Sequence, residues 1–339
     1  MADYDAFVLL SFGGPEKPED VMPFLRNVVR GRGVPDERLT EVAEHYMHFG
    51  GVSPINQQCR DLLAAVAADG FPLPAYWGNR NWQPMLEDTV AQMRDDGVTH
   101  ALGFATSAYG GYSSCTQYWE DIARARAKVG PGAPAISKLR QFHDHPGFIE
   151  PHISAVREAL ETLDASRRPT TRLVFTAHSI PMSMAETAGP TGGRYTAQLE
   201  ETARLVHAGA AAGLPWDLVW QSRSGPPQVP WLEPDINDHL TALAEKGVTD
   251  VVVSPIGFVS DHLEVIWDLD NEASATAARL GLGYARAATP GTDPRFVAMI
   301  RELVRERTEG APRRRLGTLP IWDECPGGCC PAPQRRGAS

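Results

Sequence analysis

Ala6–Phe12 reads AFVLLSF and runs into Gly13-Gly14-Pro15, and 165 residues or so further on Val174–Ile180 reads VFTAHSI and runs into Pro181. Each is a short unbroken apolar run stopped by turn residues, which is how a strand buried on both faces looks. Val8–Gly14 and Val174–Ile180 also parallel each other. Between them the pattern alternates. Helical periods are expected at about 17–28, 36–48, 54–69 and 84–96, and again from about 113. Strands are expected at about 74–79 and 98–106. The second half repeats the style. Helices are expected at about 147–163, 192–210, 234–246, 261–280 and 293–308, and strands at about 171–177, 217–221 and 249–254. Strands alternating with helices imply an α/β fold with parallel sheets.

A second internal match supports a duplication. Asp95-Asp96-Gly97-Val98-Thr99-His100 parallels Glu245-Lys246-Gly247-Val248-Thr249-Asp250. In both a helix ends, a glycine caps it and a strand begins. The chain therefore divides into two similar Rossmann-like lobes, 1–148 and 149–312, and a Cys-rich tail, 313–339. In such sheets ligands bind beyond the carboxyl ends of the strands, so two facing lobes would enclose a cleft.

Composition narrows the class. Of 339 residues 42% are hydrophobic and the net charge is −10. That balance argues against bulk nucleic-acid binding, which needs a basic surface. Met1-Ala2-Asp3-Tyr4-Asp5 is acidic and lacks the basic start of a targeting segment, and apolar runs break within about ten residues, too short to span a bilayer. A cytoplasmic location is expected. A long cytosolic chain is not held by disulfides, yet three of its five cysteines crowd into Cys325-Pro326-Gly327-Gly328-Cys329-Cys330.

Four groups of residues could carry chemistry. His178 sits just past an apolar strand, where a neutral imidazole could bind a metal or take a proton; the plainer reading is a histidine satisfied by a loop carbonyl. In Ser260–Glu272 (SDHLEVIWDLDNE), Ser260 and Asp261 are good helix N-caps. Glu264, Asp268 and Glu272 then fall at i, i+4 and i+8, so three carboxylates share a face. Such hard oxygens suit a divalent cation in transit; a solvated acidic face is the alternative, disfavoured by Leu263, Val265, Ile266 and Trp267 around them. Each segment follows a strand of the second half, so His178 and Glu264 could meet in one cleft. The third group is the tail trio, whose close thiolates suggest zinc or an iron–sulfur cluster. A fourth ligand would be Cys115 or Cys59, the latter on an amphipathic helix and better read as core. The fourth group is Arg26, Arg30 and Arg32, able to clamp carboxylates, with Met22, Phe24, Trp82, Trp220 and Trp231 as packing faces.

These segments together resemble the ferrochelatase family. The likeness is carried by Gly50-Gly51-Val52-Ser53-Pro54-Ile55, Thr176-Ala177-His178-Ser179-Ile180-Pro181, Trp220-Gln221-Ser222-Arg223-Ser224-Gly225-Pro226 and Ser260-Asp261-His262-Leu263-Glu264 with Asp268-Leu269-Asp270, in that order over about residues 5–310. It implies two lobes around a porphyrin slot and an active pair of His178 and Glu264, with Asp268 and Glu272 as a metal path behind them. Expected porphyrin contacts are Phe12, Arg26, Arg30, Tyr46, Ser53, Tyr112, Trp220 and Ser222. The tail resembles that of members with a [2Fe–2S] cluster, which implies Cys115, Cys325, Cys329 and Cys330 as ligands, although Cys-x₃-Cys-Cys is tighter than in animal enzymes. Many relatives of the Gram-positive type have Tyr where Phe12 stands, and Phe12 has no oxygen to offer a metal.

The implied reaction is insertion of Fe²⁺, as substrate, into a porphyrin. Arginines in the stretch 22–34, and the likeness to actinobacterial members, favour tetra-carboxylate coproporphyrin III over protoporphyrin IX. Transient contacts with other enzymes of haem synthesis are the implied protein partners. A cobalt or nickel tetrapyrrole chelatase is a second enzymatic reading, and a haem-binding or iron-sensing protein a non-enzymatic one.

Overall fold

The computed structural model describes residues 4–31 and 33–333; Arg32 and the end of the tail lie outside the described residues. In the first half, β1 (Ala6–Ser11) is followed by α1 (Val21–Val28), α2 (Asp36–His48) and α3 (Ile55–Ala68). Then come β2 (Ala75–Asn79), α4 (Leu86–Asp95), β3 (His100–Ala105), α5 (Gln117–Val129) and β4 (Ala135–Lys138). α6 (Pro146–Thr162) leads into the second half, with β5 (Arg172–His178), α7 (Met182–Glu186), α8 (Arg194–Ala210), β6 (Trp216–Gln221), α9 (Ile236–Glu245) and β7 (Asp250–Ser254). A short α10 (Leu263–Val265), α11 (Ser274–Leu280), β8 (Gly283–Arg286) and α12 (Pro294–Thr308) complete it.

Two four-stranded parallel sheets result, ordered β2-β1-β3-β4 and β6-β5-β7-β8. β1 is buried along its whole length, as its apolar run demands. It lies between β2 and β3, with Leu9 opposite Trp77 and Phe104. β5 takes the same place in the other sheet, with Phe175 opposite Leu218 and Ser254. The chain steps to one side of β1 and then to the other, so the switch point lies between β1 and β3. Its counterpart lies between β5 and β7, and His178 ends β5 beside it.

The duplicated helix ends have one geometry. Gly97 and Gly247 both have φ +81°, and Val98 and Val248 return their N–H groups to the carbonyls of Met93 and Leu243 at 2.9 and 3.1 Å. Such a cap needs a left-handed residue, which glycine adopts without steric cost.

The outer faces of the two sheets have their own apolar clusters, under α4 and α5 and under α9 and α11. The inner faces share one. Phe7, Leu9 and Phe104 from the first sheet and Leu173, Phe175 and Val252 from the second belong to a single buried core with Phe142, Phe148 and Phe296. Phe104 stacks on Phe142 with centroids 5.0 Å apart and rings 17° from parallel, and meets Phe296 edge-on at 6.2 Å. α12 packs on α6 and on α3 of the first half, and residue 148 lies in the first turn of α6. α1 and α2 stand apart as a lip with a small cluster of Val21, Phe24, Leu25, Leu39 and Ala43.

The structure corrects several expectations. β4 and β8 were not foreseen: at four residues each, AISK and GYAR, they have no apolar run to betray them. Ser260 and Asp261 do not cap a helix. His262 holds that position without a side-chain cap, and Asp261 is paired with Arg286 at 3.0 Å instead. The helix expected over 261–280 is interrupted by a π-helix over Ile266–Ala273.

Candidate active site and thiol cluster

His178 is aimed by its surroundings. Its backbone carbonyl accepts from Tyr195 Oη at 2.9 Å, and the next residue is tied down by Ser179 N to the Gln221 carbonyl at 2.7 Å. The ring Nδ1 faces the Ser179 carbonyl, a bond that makes it the N–H tautomer and leaves Nε2 for the cleft. The loop-carbonyl contact expected of a structural histidine is thus present at Nδ1, and Nε2 remains for chemistry. Nε2 lies 3.6 Å from Glu264 Oε1.

Glu264 starts the acidic row. In an α-helix each i+4 step drifts by about 40° around the axis. The π-helix, with i→i+5 bonds, holds more residues per turn and offsets that drift. Asp268 comes next and accepts from Ser222 Oγ and from Gln221 Nε2, the latter at 3.1 Å. Ser222 reaches it from a left-handed backbone, φ +62°, which is costly for a serine. Glu272 is exposed and lines an open hollow of about 460 Å³ with Trp267, Asn237, Asn271 and Arg279. The row thus runs from solvent to His178.

Its charges are graded. Burial opposes ionisation of His178, but the Glu264 carboxylate overrides it and the imidazole pKa is raised to about 9. Burial would raise Glu264, and the imidazolium pulls it below the usual carboxylate range instead. Asp268 is raised to about 7 by burial and by the Glu264 charge, with Ser222 and Gln221 offsetting part of this. The His178 and Glu264 side chains are 35% and 43% exposed, so water screens the pair. The row holds an ion pair and, next to it, a carboxyl poised near neutrality, an arrangement suited to moving protons and holding a cation.

An aromatic wall stands opposite. Tyr46, on α2, is near enough to Glu264 that burial and the carboxylate charge together push its phenol pKa up. Its ring meets Phe24 at 5.9 Å, and Phe24 meets Phe12 and Trp82 edge-on, each at 6.2 Å. Phe12 is 37% exposed at the end of β1. α2 also touches the π-helix directly, His45 stacking on Trp267 at 3.9 Å, 9° from parallel.

The other expected contacts are scattered. Trp220 is 6% exposed and Ser53 5%, both within packed structure. Arg26 is exposed and paired with Asp36 at 2.8 Å; Arg30 is exposed on the lip. Tyr112 Oη donates to Glu120 at 2.9 Å. Gln221 was missed by sequence reading although it adjoins Ser222, because an amide at a strand end carries no pattern of its own.

The tail forms no helix or strand within the described residues, and the part from Arg313 to Cys330 is docked on the rest of the protein. Arg315 pairs with Asp144 at 3.0 Å, and Glu201 Oε1 accepts from the N–H groups of Thr318 and Leu319 at 2.7 and 3.3 Å. His143, Asp144 and Glu201 lie close enough to share an ion, but the tail and His143 Nε2, 3.1 Å from Glu201, already take up that acidic charge. This docking carries Cys325, Cys329 and Cys330 to Cys115. Cys325 sits against Cys115 and Cys329, and the sulfurs of Cys329 and Cys330 are 3.4 Å apart. Gly189 N donates to Cys330 Sγ at 3.0 Å, and Thr116 Oγ1 donates to the Cys330 carbonyl, also at 3.0 Å. The Cys325 thiol bond, with lysine and arginine charges beyond it, outweighs burial and lowers the Cys115 pKa to about 5. A thiolate among converging sulfurs is what a soft metal centre requires. Cys59, by contrast, is a 4%-exposed core residue of α3.

A ferrochelatase family model matches residues 4–308. A coproporphyrin III ferrochelatase of Nocardia farcinica is 61% identical, covering 99% of this chain and 98% of that one. One of Mycolicibacterium smegmatis is 57% identical, covering 92% of each. Among solved structures, SirB from Bacillus subtilis with Fe³⁺ superposes with a TM-score of 0.56 over 91% of this chain and 98% of its own, at 13% identity, a likeness of fold alone. With its two parallel sheets, its histidine–glutamate pair and these relatives, the chain belongs to the ferrochelatase family.

Proposed function

We propose that this protein inserts Fe²⁺ into coproporphyrin III to give coprohaem, in the cytoplasm. The observation that carries the reading is the 3.6 Å approach of His178 to Glu264 at the inner end of a carboxylate row, in a chain with relatives at 57–61% identity named for that reaction. The exposed arginines of the lip, Arg30 and Arg26, the latter once it exchanges Asp36 for substrate, suit a porphyrin rich in carboxylates. No helix among the described residues is long and apolar enough to cross a membrane.

In this reading the macrocycle lies between the wall of Phe12, Phe24 and Tyr46 and the His178–Glu264 pair. Binding energy at its rim holds it against the wall. Fe²⁺ enters at Glu272 and passes Asp268. The two pyrrole protons leave through the carboxylates of the row and through His178 once it has passed its own proton to Glu264, and the +2 charge of the arriving metal favours their loss. The 1–148 and 149–312 lobes and the 313–339 tail would then divide the work: wall, chemistry and cluster.

The tail cysteines with Cys115 would hold a [2Fe–2S] cluster, a site with four sulfurs, a backbone N–H on Cys330 and buried cations beside it. When bound, such a cluster supplies a one-electron couple and a colour in the visible range.

Anaerobic incubation with Fe²⁺ and either coproporphyrin III or protoporphyrin IX tests the function. Loss of porphyrin fluorescence should be much faster with coproporphyrin III, and His178→Ala should abolish it while the porphyrin still binds. Normal turnover by His178→Ala, or a preference for protoporphyrin IX, would overturn the respective part.

A further inference from the structure

Two buried cations beside the four cysteines have no anionic partner among the described carboxylates. Lys138, at the end of β4, is 5% exposed, and its Nζ lies 3.1 Å from Cys115 Sγ. Arg194, at the start of α8, is 9% exposed. Its guanidinium stacks on Trp322, 4.3 Å from the ring centroid, and donates only to neutral oxygens: the Pro320 carbonyl at 2.9 Å and Gln141 Oε1 at 3.3 Å. Two glycines make room for it. A Cβ on Gly110 would come within 2.7 Å of Arg194 Cδ, and one on Gly189 within 2.6 Å of Arg194 Cβ. Gly189 is also the residue that donates to Cys330, so Arg194 and the sulfurs lie on either side of one peptide.

Burying a cation without a counter-ion costs several kcal/mol. The Cys115 thiolate answers Lys138 alone and leaves the Arg194 charge unmet. Two ferric ions, two sulfides and four thiolates carry a net charge of two minus, which two cations cancel. We propose that Lys138 and Arg194 are a charge-balancing pair for a metal–sulfur cluster held by Cys115, Cys325, Cys329 and Cys330, positioning residues that set how readily it accepts an electron. The inference rests on the cluster reading above and adds to it. One-electron reduction by an external low-potential reductant turns one ferric ion ferrous and takes the cluster to three minus with no proton moved. Nearby positive charge stabilises that state, so removing it disfavours reduction.

The test uses the purified holoprotein and the variants Lys138→Met, Arg194→Gln, Lys138→Arg and Arg194→Lys. Iron and acid-labile sulfide are counted, visible spectra recorded, and potentials measured by dithionite titration against redox dyes. Each neutral variant should disfavour reduction at least tenfold, about 59 mV more negative for one electron, while the charge-keeping variants stay near the parent. Loaded neutral variants with the parent's potential would overturn the charge-balance idea alone. If the neutral variants load no cluster, loading by both charge-keeping variants supports the idea, and failure of those as well overturns it. A parent protein purified anaerobically without iron and sulfide would instead overturn the cluster reading, and the inference with it.

Discussion

Glu264→Gln should move the titration of His178 by more than two pH units. The imidazole sits 3.6 Å from the carboxylate, which raises its pKa from 6.5 to about 9 against the opposing effect of burial. Removing the charge leaves burial dominant and brings the midpoint to about 6.5 or below. At pH 7.5 the histidine of the parent is then roughly 97% protonated and that of the variant at most roughly 10%. Because the folded pKa is raised, the stabilisation from this pair is present at neutral pH and is lost as pH rises through the folded value. The assay is a ¹H–¹³C NMR titration of the ring protons, with the His178 signal identified by its absence from His178→Gln. A midpoint unchanged between parent and Glu264→Gln would refute the reasoning.

Ser222→Ala removes a donor to Asp268, already raised to about 7. Losing a hydrogen bond to a charged group worth about 1.5–3 kcal/mol should raise that pKa by about one to two pH units, and the acidic limb of the kcat/KM profile for metal insertion should shift with it. Burial would raise Glu201, but His143 and two tail amides hold it at about 2. This depressed value means its stabilisation, about 3 kcal/mol at most, is present above pH 4.5 and is lost as pH falls through about 2. Hydrogen exchange at Thr318 and Leu319 should quicken over that range, and in Glu201→Gln at neutral pH; equal protection in the variant would refute the anchor. Phe104→Ala, at the centre of the shared core, should cost about 3–5 kcal/mol in urea unfolding, and a loss under about 1 kcal/mol would mean that the core closes around the gap.

What could be read from the chain depended on which interaction wrote the signal. β1 and β5 were legible because a strand covered on both faces must be apolar throughout. Gly97 and Gly247 marked their helix ends because only a left-handed residue fits there. β4 and β8 are edge strands, held by neighbours rather than by their own composition, and left no mark. The acidic spacing of Glu264, Asp268 and Glu272 was visible, but not the π-helix, because i→i+5 bonding leaves no period of its own in the sequence. The tail thiols announced themselves, whereas Lys138 and Arg194, distant from them in sequence, acquire meaning only when the tail folds back. The aromatic wall was half seen: Phe12, Phe24 and Trp82 were named singly, and only the fold makes them adjacent.

The common apolar centre has a consequence for how substrate gets in. Phe104 and Phe175 come from different sheets yet solidify one interior, and close-packed interiors do not shear without breaking contacts. The halves therefore cannot swing like the jaws of a clamp. Admission of a flat macrocycle falls to α1 and α2, whose small cluster of Val21, Phe24, Leu25, Leu39 and Ala43 lets them tilt as a unit. Such a tilt parts the ring stack of His45 upon Trp267, the edge contacts of Phe24 with Phe12 and Trp82 and the bond from Asn27 Nδ2 to the Asn81 carbonyl.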